Sequence, residues 1–172
     1  MLVAYQMSEI PSILDPRVAR ALADAGIAFE AIACDPALAD TAAFCEHYGF
    51  APENTCNAIV VVAKTTPKRY LACLVTSDTK LDVNHRLAKL VGIKRLSFAS
   101  SEETAALTGM LIGGVTVVGM PPDIPIFIDE RVVQRDYVIL GGGNRSSKIR
   151  LDPNELTKLP GAQVADVAVP RE

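Results

Sequence analysis

Apolar residues follow two spacings along the chain, one typical of helices and one typical of strands. A helix is predicted to begin at Asp15 and Pro16, an N-cap followed by a first-turn proline, and to end at Gly26. The continuous run AIVVVA at residues 58–63 predicts a strand that is covered on both faces. Together with the apolar run at residues 70–77, it predicts a hairpin joined by a charged turn.

Shorter elements follow from the same spacings and from capping residues. Asp82 is a predicted N-cap, and Ser100 forms a capping-box pattern with Glu103. The further helices and strands are predicted at residues 27–33, 41–48, 82–91, 94–98, 100–108, 124–129, 137–140 and 152–159. Helices and strands are interleaved, with hairpin-like as well as crossover connections. We therefore expect one α/β (α+β) domain, residues 1–172, around a mixed and strongly curved sheet.

The composition is that of an ordinary globular protein with an aliphatic core. Hydrophobic residues make up 49% of the chain and charged residues 22%, and there is no tryptophan. The net charge of −3 excludes the global basic field of a strong, sequence-independent nucleic-acid binder, so any nucleic-acid contact is expected to be local, and no DNA partner is expected. The first residues lack a basic segment and include Glu9, which predicts no signal peptide. Since no apolar run is long enough to span a membrane, a soluble cytoplasmic protein is expected.

The cysteines and histidines do not predict a metal site or a disulfide framework. The four cysteines form no C-x-x-C pair and are expected to be reduced and mostly buried. Cys45 and His47 are two residues apart, which places them on different faces of a helix. Ser146 and Ser147 have no neighbouring histidine, so a serine hydrolase is not favoured. No metal is expected.

The placement of glycine and charge at residues 108–150 is unusual for a plain core. One glycine cluster precedes and another follows a short apolar strand that ends in Asp129, and the basic run at residues 144–150 comes next. Two interpretations remain open, a pocket in which backbone approaches a ligand closely, or a bulge and a loop between strands. The glycine spacing matches neither a P-loop nor a dinucleotide fingerprint, so no nucleotide cofactor is expected.

Five stretches occur in an order and spacing that carry a family resemblance: LDVNHRLAKLVG, SFASSEETAALTG, TGMLIGGVTVVG, IPIFIDERV and GGGNRSSKIRLDPNELTKLPGAQVADVA. They are similar to the YbaK/EbsC (ProX-type) family, which includes free-standing deacylases and synthetase-associated editing domains that hydrolyse mischarged aminoacyl-tRNA. The resemblance covers residues 15–169. It implies a mixed sheet wound into a partly closed barrel, with helices outside.

The resemblance also implies where the pocket lies. It is formed by a loop at Gly113 and Gly114, the strand that ends in Asp129, and a second loop at Gly142 and Gly143. The backbone N–H groups of the first glycine pair are candidate donors to the oxyanion of ester hydrolysis. No base is placed by sequence near this loop, and in the family the substrate's ribose hydroxyl and a positioned water fill this role.

The chain departs from the family at one pocket position. Many members have a lysine just before the long apolar strand, where this chain has Asn57. Because a neutral amide replaces an ammonium, either the substrate is handled differently or this branch has lost the activity. An asparagine here can also be a structural residue at the start of the strand.

Charged residues around the pocket have open alternatives. Asp129 either holds the α-ammonium of the substrate or caps the turn after its strand. Arg145, Lys148 and Arg150 are candidate contacts to phosphates of the acceptor end, and for Arg150 a solvated basic strand is an equal alternative.

The resulting expectation is an aminoacyl-tRNA deacylase that acts in trans on a tRNA carrying a small amino acid. Its partners would be the acceptor end of aminoacyl-tRNA, bound transiently, and a synthetase. The alternatives are a non-catalytic module that binds a small ligand or an aminoacyl end, and a structural or regulatory partner of a synthetase.

Overall fold

The computed structural model describes residues 13–171. In this part of the chain, four α-helices are interleaved with ten strands. The helices are α1 Pro16–Ala25, α2 Thr41–Tyr48, α3 Ala88–Val91 and α4 Ser101–Thr108. The strands are β1 Glu30–Ala33, β2 Cys56–Ala63, β3 Arg69–Thr76, β4 Thr79–Leu81, β5 Leu96–Phe98, β6 Ile126–Asp129, β7 Val138–Gly141, β8 Ser147–Leu151, β9 Ala162–Ala165 and β10 Ala168–Pro170. The first twelve residues, for which no signal peptide is predicted, lie outside the described part.

The central sheet has the strand order β5-β2-β3-β6-β9. The predicted hairpin is confirmed, since β2 and β3 pair antiparallel over their whole length, from Cys56 opposite Thr76 to Ala63 opposite Arg69. β6 pairs parallel with β3 on one side and with β9 on the other. The mixed α/β class is therefore confirmed.

The strands do not close into a barrel. In the described residues, β1, β8 and β7 form a second sheet, and β10 pairs with β4 in a third. An isolated parallel bridge between Thr55 and Ile139 links the start of the central hairpin to the three-stranded sheet. The expected partly closed barrel is not supported, because the strand pairing stops at the edges of three separate sheets.

Helix ends follow the capping residues in the sequence. Asp15 caps α1 by accepting a hydrogen bond from the N–H of Arg17 (2.9 Å), and Gly26 ends the helix with a left-handed φ of 66°. Both halves of the predicted capping box at Ser100 form. Two predicted helices differ from expectation: residues 82–91 form one π-helical turn, Val83–Leu87, followed by the short α3, and Pro153–Lys158 is a 3₁₀ helix.

The core is aliphatic and lies on both sides of the central hairpin. The larger cluster contains Val18 and Leu22 of α1 with residues from β3, β6, β7 and β8. A second cluster packs the other face of β2 and β3 against the π-helical turn and α3. Of the cysteines, Cys34, Cys56 and Cys73 are buried, and all four are free thiols. Burial raises the pKa of Cys73 to about 12, which keeps this thiol protonated.

The carboxylate of Asp129, at the end of β6, connects the central sheet to the C-terminal segment. It has no exposed surface, and Oδ2 accepts hydrogen bonds from the N–H groups of Val167 (3.0 Å) and Ala168 (2.9 Å). Oδ1 accepts from the N–H of Arg131 (3.0 Å) and pairs with its guanidinium at 3.3 Å. Because both oxygens are occupied, the geometry favours a turn-holding role over contact with a substrate.

Replacing Asp129 with Asn should lower the free energy of unfolding by about 3 kcal/mol, because the new amide donors face other donors and Arg131 loses its buried partner. The matched control is Asp166→Asn, since Asp166 is half exposed and pairs with the same arginine at 3.5 Å. The control should lose less than about 1 kcal/mol in urea unfolding. Equal losses in the two variants would contradict the structural role of Asp129.

Candidate functional site

A cavity of about 590 Å³ lies between α2, the start of β2 and the C-terminal end of the described chain. We call it the Asn57 pocket, after the asparagine at the start of β2 that lines it. Its apolar lining residues come from α2 and the segment that follows it, and are Ala42, Cys45, Phe50 and Pro52. Its polar lining residues are Thr41, Glu46, Asn57, Ser77 and Arg171. A pocket lined by apolar side chains and a few polar groups is suited to a small ligand that must be oriented.

The Asn57 amide is held in one orientation by its neighbour on α2. The hydroxyl of Thr41 donates a hydrogen bond to Asn57 Oδ1 at 2.8 Å. In this arrangement Oδ1 of the amide faces Thr41, and Nδ2 is turned away from it as a donor. Nδ2 has no acceptor among residues 13–171, so its two N–H groups are available to a ligand in the Asn57 pocket.

Two cations contact the residues just before Thr41, the hydrogen-bond partner of Asn57. One cation comes from β8 and the other from the loop that precedes β8. The ammonium of Lys148 donates to the carbonyl of Ala39 at 2.7 Å, and the guanidinium of Arg145 pairs with Asp40 at 3.3 Å. Both contacts fall within the two residues before α2 begins at Thr41. The position of α2, and with it the Thr41 hydroxyl, therefore depends on β8.

The first glycine loop is bound to the same cations. Lys148 also donates to the carbonyl of Gly113 at 2.7 Å, and Arg145 donates to the carbonyl of Ile112 at 2.7 Å. The N–H of Gly114 is occupied, since it donates to the carbonyl of Leu111 at 2.8 Å. The geometry therefore does not support Gly114 as an oxyanion donor.

The glycines are needed for close packing of backbone. A Cβ on Gly114 would overlap the backbone of Asn144, and one on Gly113 would overlap the Arg145 guanidinium. The Gly114 carbonyl accepts a hydrogen bond from the N–H of Gly143 at 2.7 Å, so the two predicted glycine clusters do meet. Any larger residue at position 114 would separate the two loops, which makes substitutions there tests of folding rather than of chemistry.

The second glycine cluster faces α1 rather than the Asn57 pocket. The carbonyl of Gly142 accepts a hydrogen bond from the N–H of Asp15 at 3.0 Å. Gly143 has a φ of 89°, and a Cβ there would lie within 2.8 Å of the Val18 side chain. In the described part of the chain, Gly142 and Gly143 thus pack against α1 and its N-cap and do not line the Asn57 pocket.

Lys148 is buried, contrary to the expected phosphate contact. Its residue is 6% exposed, and its Nζ lies 5.4 Å from the centre of the Phe44 ring. Burial is the largest influence on this group and lowers the pKa of Lys148 below its ordinary value of 10.5. With Nζ already shared between two carbonyls, Lys148 is placed to hold the loops together.

Arg145 and Arg150 also contact other residues of the protein. Arg145 donates to the carbonyl of Pro36 through Nε (3.1 Å) and Nη2 (2.9 Å), in addition to its contacts with Asp40 and Ile112. The Arg150 guanidinium lies 3.9 Å from the centre of the Tyr137 ring. The expected cluster of phosphate contacts is therefore not assembled by these side chains.

Several residues of the Asn57 pocket were not predicted from sequence. Thr41 is the first residue of a predicted helix. Its hydroxyl is a possible hydrogen-bond partner for Asn57, and this is the sequence signal that could have identified it. Ser77 and Arg171 come from distant parts of the chain, where nothing in the local pattern marks them. Residues 13–171 contain no group of three or more His, Cys, Asp or Glu side chains that could hold a metal ion.

A family model for the aminoacyl-tRNA editing domain matches residues 35–159. The chain belongs to this family. The matched segment includes α2, Asn57 and both glycine loops. Among the helices that the structure describes, none has the length and hydropathy needed to cross a membrane.

Relatives and solved structures agree with this assignment. The chain is 28% identical over 109 residues to "Putative Cys-tRNA(Pro)/Cys-tRNA(Cys) deacylase EbsC" of Enterococcus faecalis, a match that covers 63% of this chain and 64% of the relative. A crystal structure of "a putative trans-editing enzyme for prolyl tRNA synthetase" superposes with a TM-score of 0.77 and 29% identity, over 91% of this chain and 99% of the other. Another, of "hypothetical protein APE2540", has a TM-score of 0.80 and 25% identity, over 89% and 99%.

Replacing Lys148 with Met should reduce stability by about 1 to 3 kcal/mol near neutral pH, because the carbonyls of Ala39 and Gly113 lose their donor. The loss should depend on pH. Since the pKa of Lys148 is lowered in the folded protein, the unfolded chain binds more protons between that lowered value and 10.5, and native stability rises with pH in this window. The advantage of the wild type over Lys148→Met should therefore grow from neutral pH towards about pH 10.

Lys158→Met is the control for this measurement, because Lys158 is half exposed and pairs at 2.8 Å with Glu155 on the surface. It should lose less than about 1 kcal/mol. Urea unfolding at a series of pH values measures both variants. If the difference in the free energy of unfolding between the wild type and Lys148→Met became smaller as the pH rose, a buried ammonium at this position would be contradicted.

Proposed function

We propose that this protein is a trans-acting aminoacyl-tRNA deacylase, which hydrolyses the ester bond of mischarged tRNA. The observation that carries the proposal is the free amide Nδ2 of Asn57 in a cavity of about 590 Å³, in a chain of the aminoacyl-tRNA editing family. Solved structures that share the fold include that of "a putative trans-editing enzyme for prolyl tRNA synthetase", which supports the proposal.

The Asn57 amide supplies the electrostatic part of the reaction. Attack of water on the ester carbonyl forms a tetrahedral intermediate whose oxygen becomes negative, and donors aimed at that oxygen lower the barrier. Nδ2 of Asn57 is such a donor, and the hydrogen bond from the Thr41 hydroxyl to Oδ1 holds the side chain beside the pocket. A neutral amide in place of an ammonium is thus compatible with catalysis.

Water is the nucleophile, and the substrate assists. Glu46 lines the Asn57 pocket, but it is exposed, and no histidine lines the pocket. A free hydroxyl of the terminal ribose, next to the ester, is available to carry the proton from water to the leaving oxygen. The reaction needs neither metal nor cofactor in this scheme.

The apolar lining residues determine the size of the amino acid. Ala42, Cys45, Phe50 and Pro52 line the same pocket as Asn57. These residues favour a small side chain, such as that of alanine, serine, cysteine or proline. The relative described as a Cys-tRNA deacylase makes cysteine the first of these to test.

The remaining candidate residues support the site from outside. Gly113 and Gly114 keep their loop against residues 143–144, and Lys148 and Arg145 connect that loop to the start of α2. The carboxylate of Asp129 accepts hydrogen bonds from the C-terminal segment. Of these, the glycine loop, Lys148 and Arg145 act on the reaction through the position of Thr41 and Asn57.

A non-catalytic binding module is the second candidate function, and the neutral side chain at position 57 favours it. In that case the Asn57 pocket would bind an aminoacyl end or small ligand without turnover. Association with a synthetase is compatible with either function.

Deacylation of purified tRNA charged with Ala, Ser, Cys or Pro tests the proposal. The wild type should hydrolyse at least one mischarged species, and Asn57→Ala should reduce kcat by about 10²- to 10³-fold, because the oxyanion loses its donor. Asn154→Ala is the matched control, since Asn154 is an exposed asparagine of the 3₁₀ helix whose N–H donates to the capping Asp152, and its turnover should be unchanged. Binding of aminoacyl-tRNA with no turnover on any species would favour the binding module.

Thr41→Val should reduce kcat about 5- to 10-fold, with the stability of the protein changed by no more than about 1 kcal/mol, because the amide of Asn57 becomes free to rotate. Thr157→Val removes a comparable surface hydrogen bond, to the carbonyl of Asn154 at 2.8 Å, and should leave kcat unchanged. Single-turnover rates on the substrate found above measure both variants. A Thr41→Val enzyme with the wild-type rate would show that the Thr41 contact does not orient the catalytic group.

A further inference from the structure

A second cavity, of about 580 Å³, lies over the outer edge of the five-stranded sheet. We call it the edge groove and define it by Ile59, Lys80, His85, Phe98 and Arg171. Phe98 belongs to β5, the outermost strand, and Lys80 belongs to β4. The edge groove is therefore open to solvent along one side of the molecule.

The edge groove lies next to the Asn57 pocket, and the two cavities share one lining residue, Arg171. Asn57 and Ile59 are two residues apart on β2, so their side chains lie on the same face of the strand. Arg171 lines both cavities, and its Nε donates to the carbonyl of Ser77, another residue of the Asn57 pocket, at 3.0 Å. A ligand with one end beside Asn57 can thus extend past Arg171 into the edge groove.

Phe98 is the aromatic surface of the edge groove. It is 59% exposed, although most large apolar side chains of the described residues are buried. No other ring stacks on it among residues 13–171. An exposed ring on a sheet edge is the kind of platform on which an unpaired nucleotide base stacks.

The cations of the edge groove are available to a ligand. Lys80 and Arg171 form no ion pair with any of residues 13–171. The carboxylate of the edge groove, Asp82, is already occupied: it lies 3.2 Å from His85 Nδ1 and 3.9 Å from the Arg86 guanidinium. The edge groove therefore carries a local positive charge in a protein whose net charge is −3.

We propose that the edge groove binds the single-stranded 3′ end of the tRNA acceptor, with a base stacked on Phe98 and phosphates beside Lys80 and Arg171. The proposal rests on the deacylase function proposed above, which places the terminal ester beside Asn57. It also accounts for the internal use of Lys148 and Arg145, because the phosphate contacts come from β4 and the C-terminal segment. Stacking and phosphate contact bind a single strand without reading its sequence.

The test measures binding of uncharged RNA, so that it does not depend on hydrolysis. The probes are a fluorescent RNA hairpin with a short single-stranded 3′ end and the same hairpin with a blunt end. Fluorescence anisotropy measures the binding of each probe. The wild type should bind the hairpin with the single-stranded end more tightly. Phe98→Ala should raise the Kd of that hairpin by about 5- to 100-fold and leave the blunt hairpin unaffected.

Two further variants distinguish the loss of base stacking from the loss of exposed apolar surface in general. Phe98→Tyr keeps the ring and should bind as the wild type does. Val164→Ala shortens a 42% exposed apolar residue on β9, the opposite edge strand of the same sheet, and should also leave the Kd unchanged. Neither variant changes a residue of the Asn57 pocket.

The phosphate contact has its own readout, the dependence of binding on salt. Lys80→Ala should reduce the slope of log K against log salt concentration by about 0.7, the value for one phosphate contact to a single strand. Lys89→Ala, an exposed lysine on α3 outside the edge groove, should leave the slope unchanged.

An unchanged Kd for Phe98→Ala, or equal binding of blunt and single-stranded ends, would overturn the proposal for the edge groove. That result together with normal hydrolysis would leave the deacylase function in place. Conversely, Phe98-dependent binding without hydrolysis of any charged tRNA would support the edge groove and count against the deacylase.

Discussion

The ammonium of Lys148 is the contact on which the geometry of the candidate site depends. From β8 it reaches the carbonyl of Ala39, just before α2, and the carbonyl of Gly113 in the first glycine loop, each at 2.7 Å. A buried charge is tolerated only when its donors are satisfied, so these three segments must stay together. Thr41 follows Ala39 by two residues, and it is Thr41 that orients the Asn57 amide.

This dependence explains why an apparently basic, glycine-rich stretch contributes little directly to the cavity. The glycines allow the loops at residues 111–114 and 141–144 to touch backbone to backbone. Lys148 and Arg145 then connect the first glycine loop to the segment before α2 by binding carbonyl oxygens of both. The stretch builds a rigid wall, and the polar groups that face the cavity come from α2, β2 and the C-terminal segment.

Much of the fold could be predicted from local signals. α1, α2 and α4 lie where capping residues and apolar spacing place them, and the central hairpin follows from its β-branched runs. The pocket position of Asn57 also follows from the sequence, through the family resemblance. The short strands β4, β9 and β10 were not predicted, because their pairing partners lie far along the chain and their residues are mixed in polarity.

The roles of the charged residues could not be predicted in the same way. Lys148, Arg145 and Arg150 form a basic pattern that resembles a phosphate site, yet the first two bind backbone carbonyls and the third lies against the Tyr137 ring. Whether a cation faces solvent or buried carbonyls depends on segments about a hundred residues away, such as residues 36–40. The same is true of Asp129, whose partners at residues 167–168 are set by tertiary contact.

The central claim is that the Asn57 amide, oriented by Thr41, faces the reacting end of the substrate. The most direct measurement is the NMR signal of the Asn57 side-chain NH₂ group during titration with an aminoacyl-adenosine analogue whose ester is replaced by a stable amide. The account predicts that these two proton signals shift on binding, while the side-chain signals of Asn154 stay in place. Saturable binding that shifts other signals and leaves those of Asn57 unchanged would contradict it.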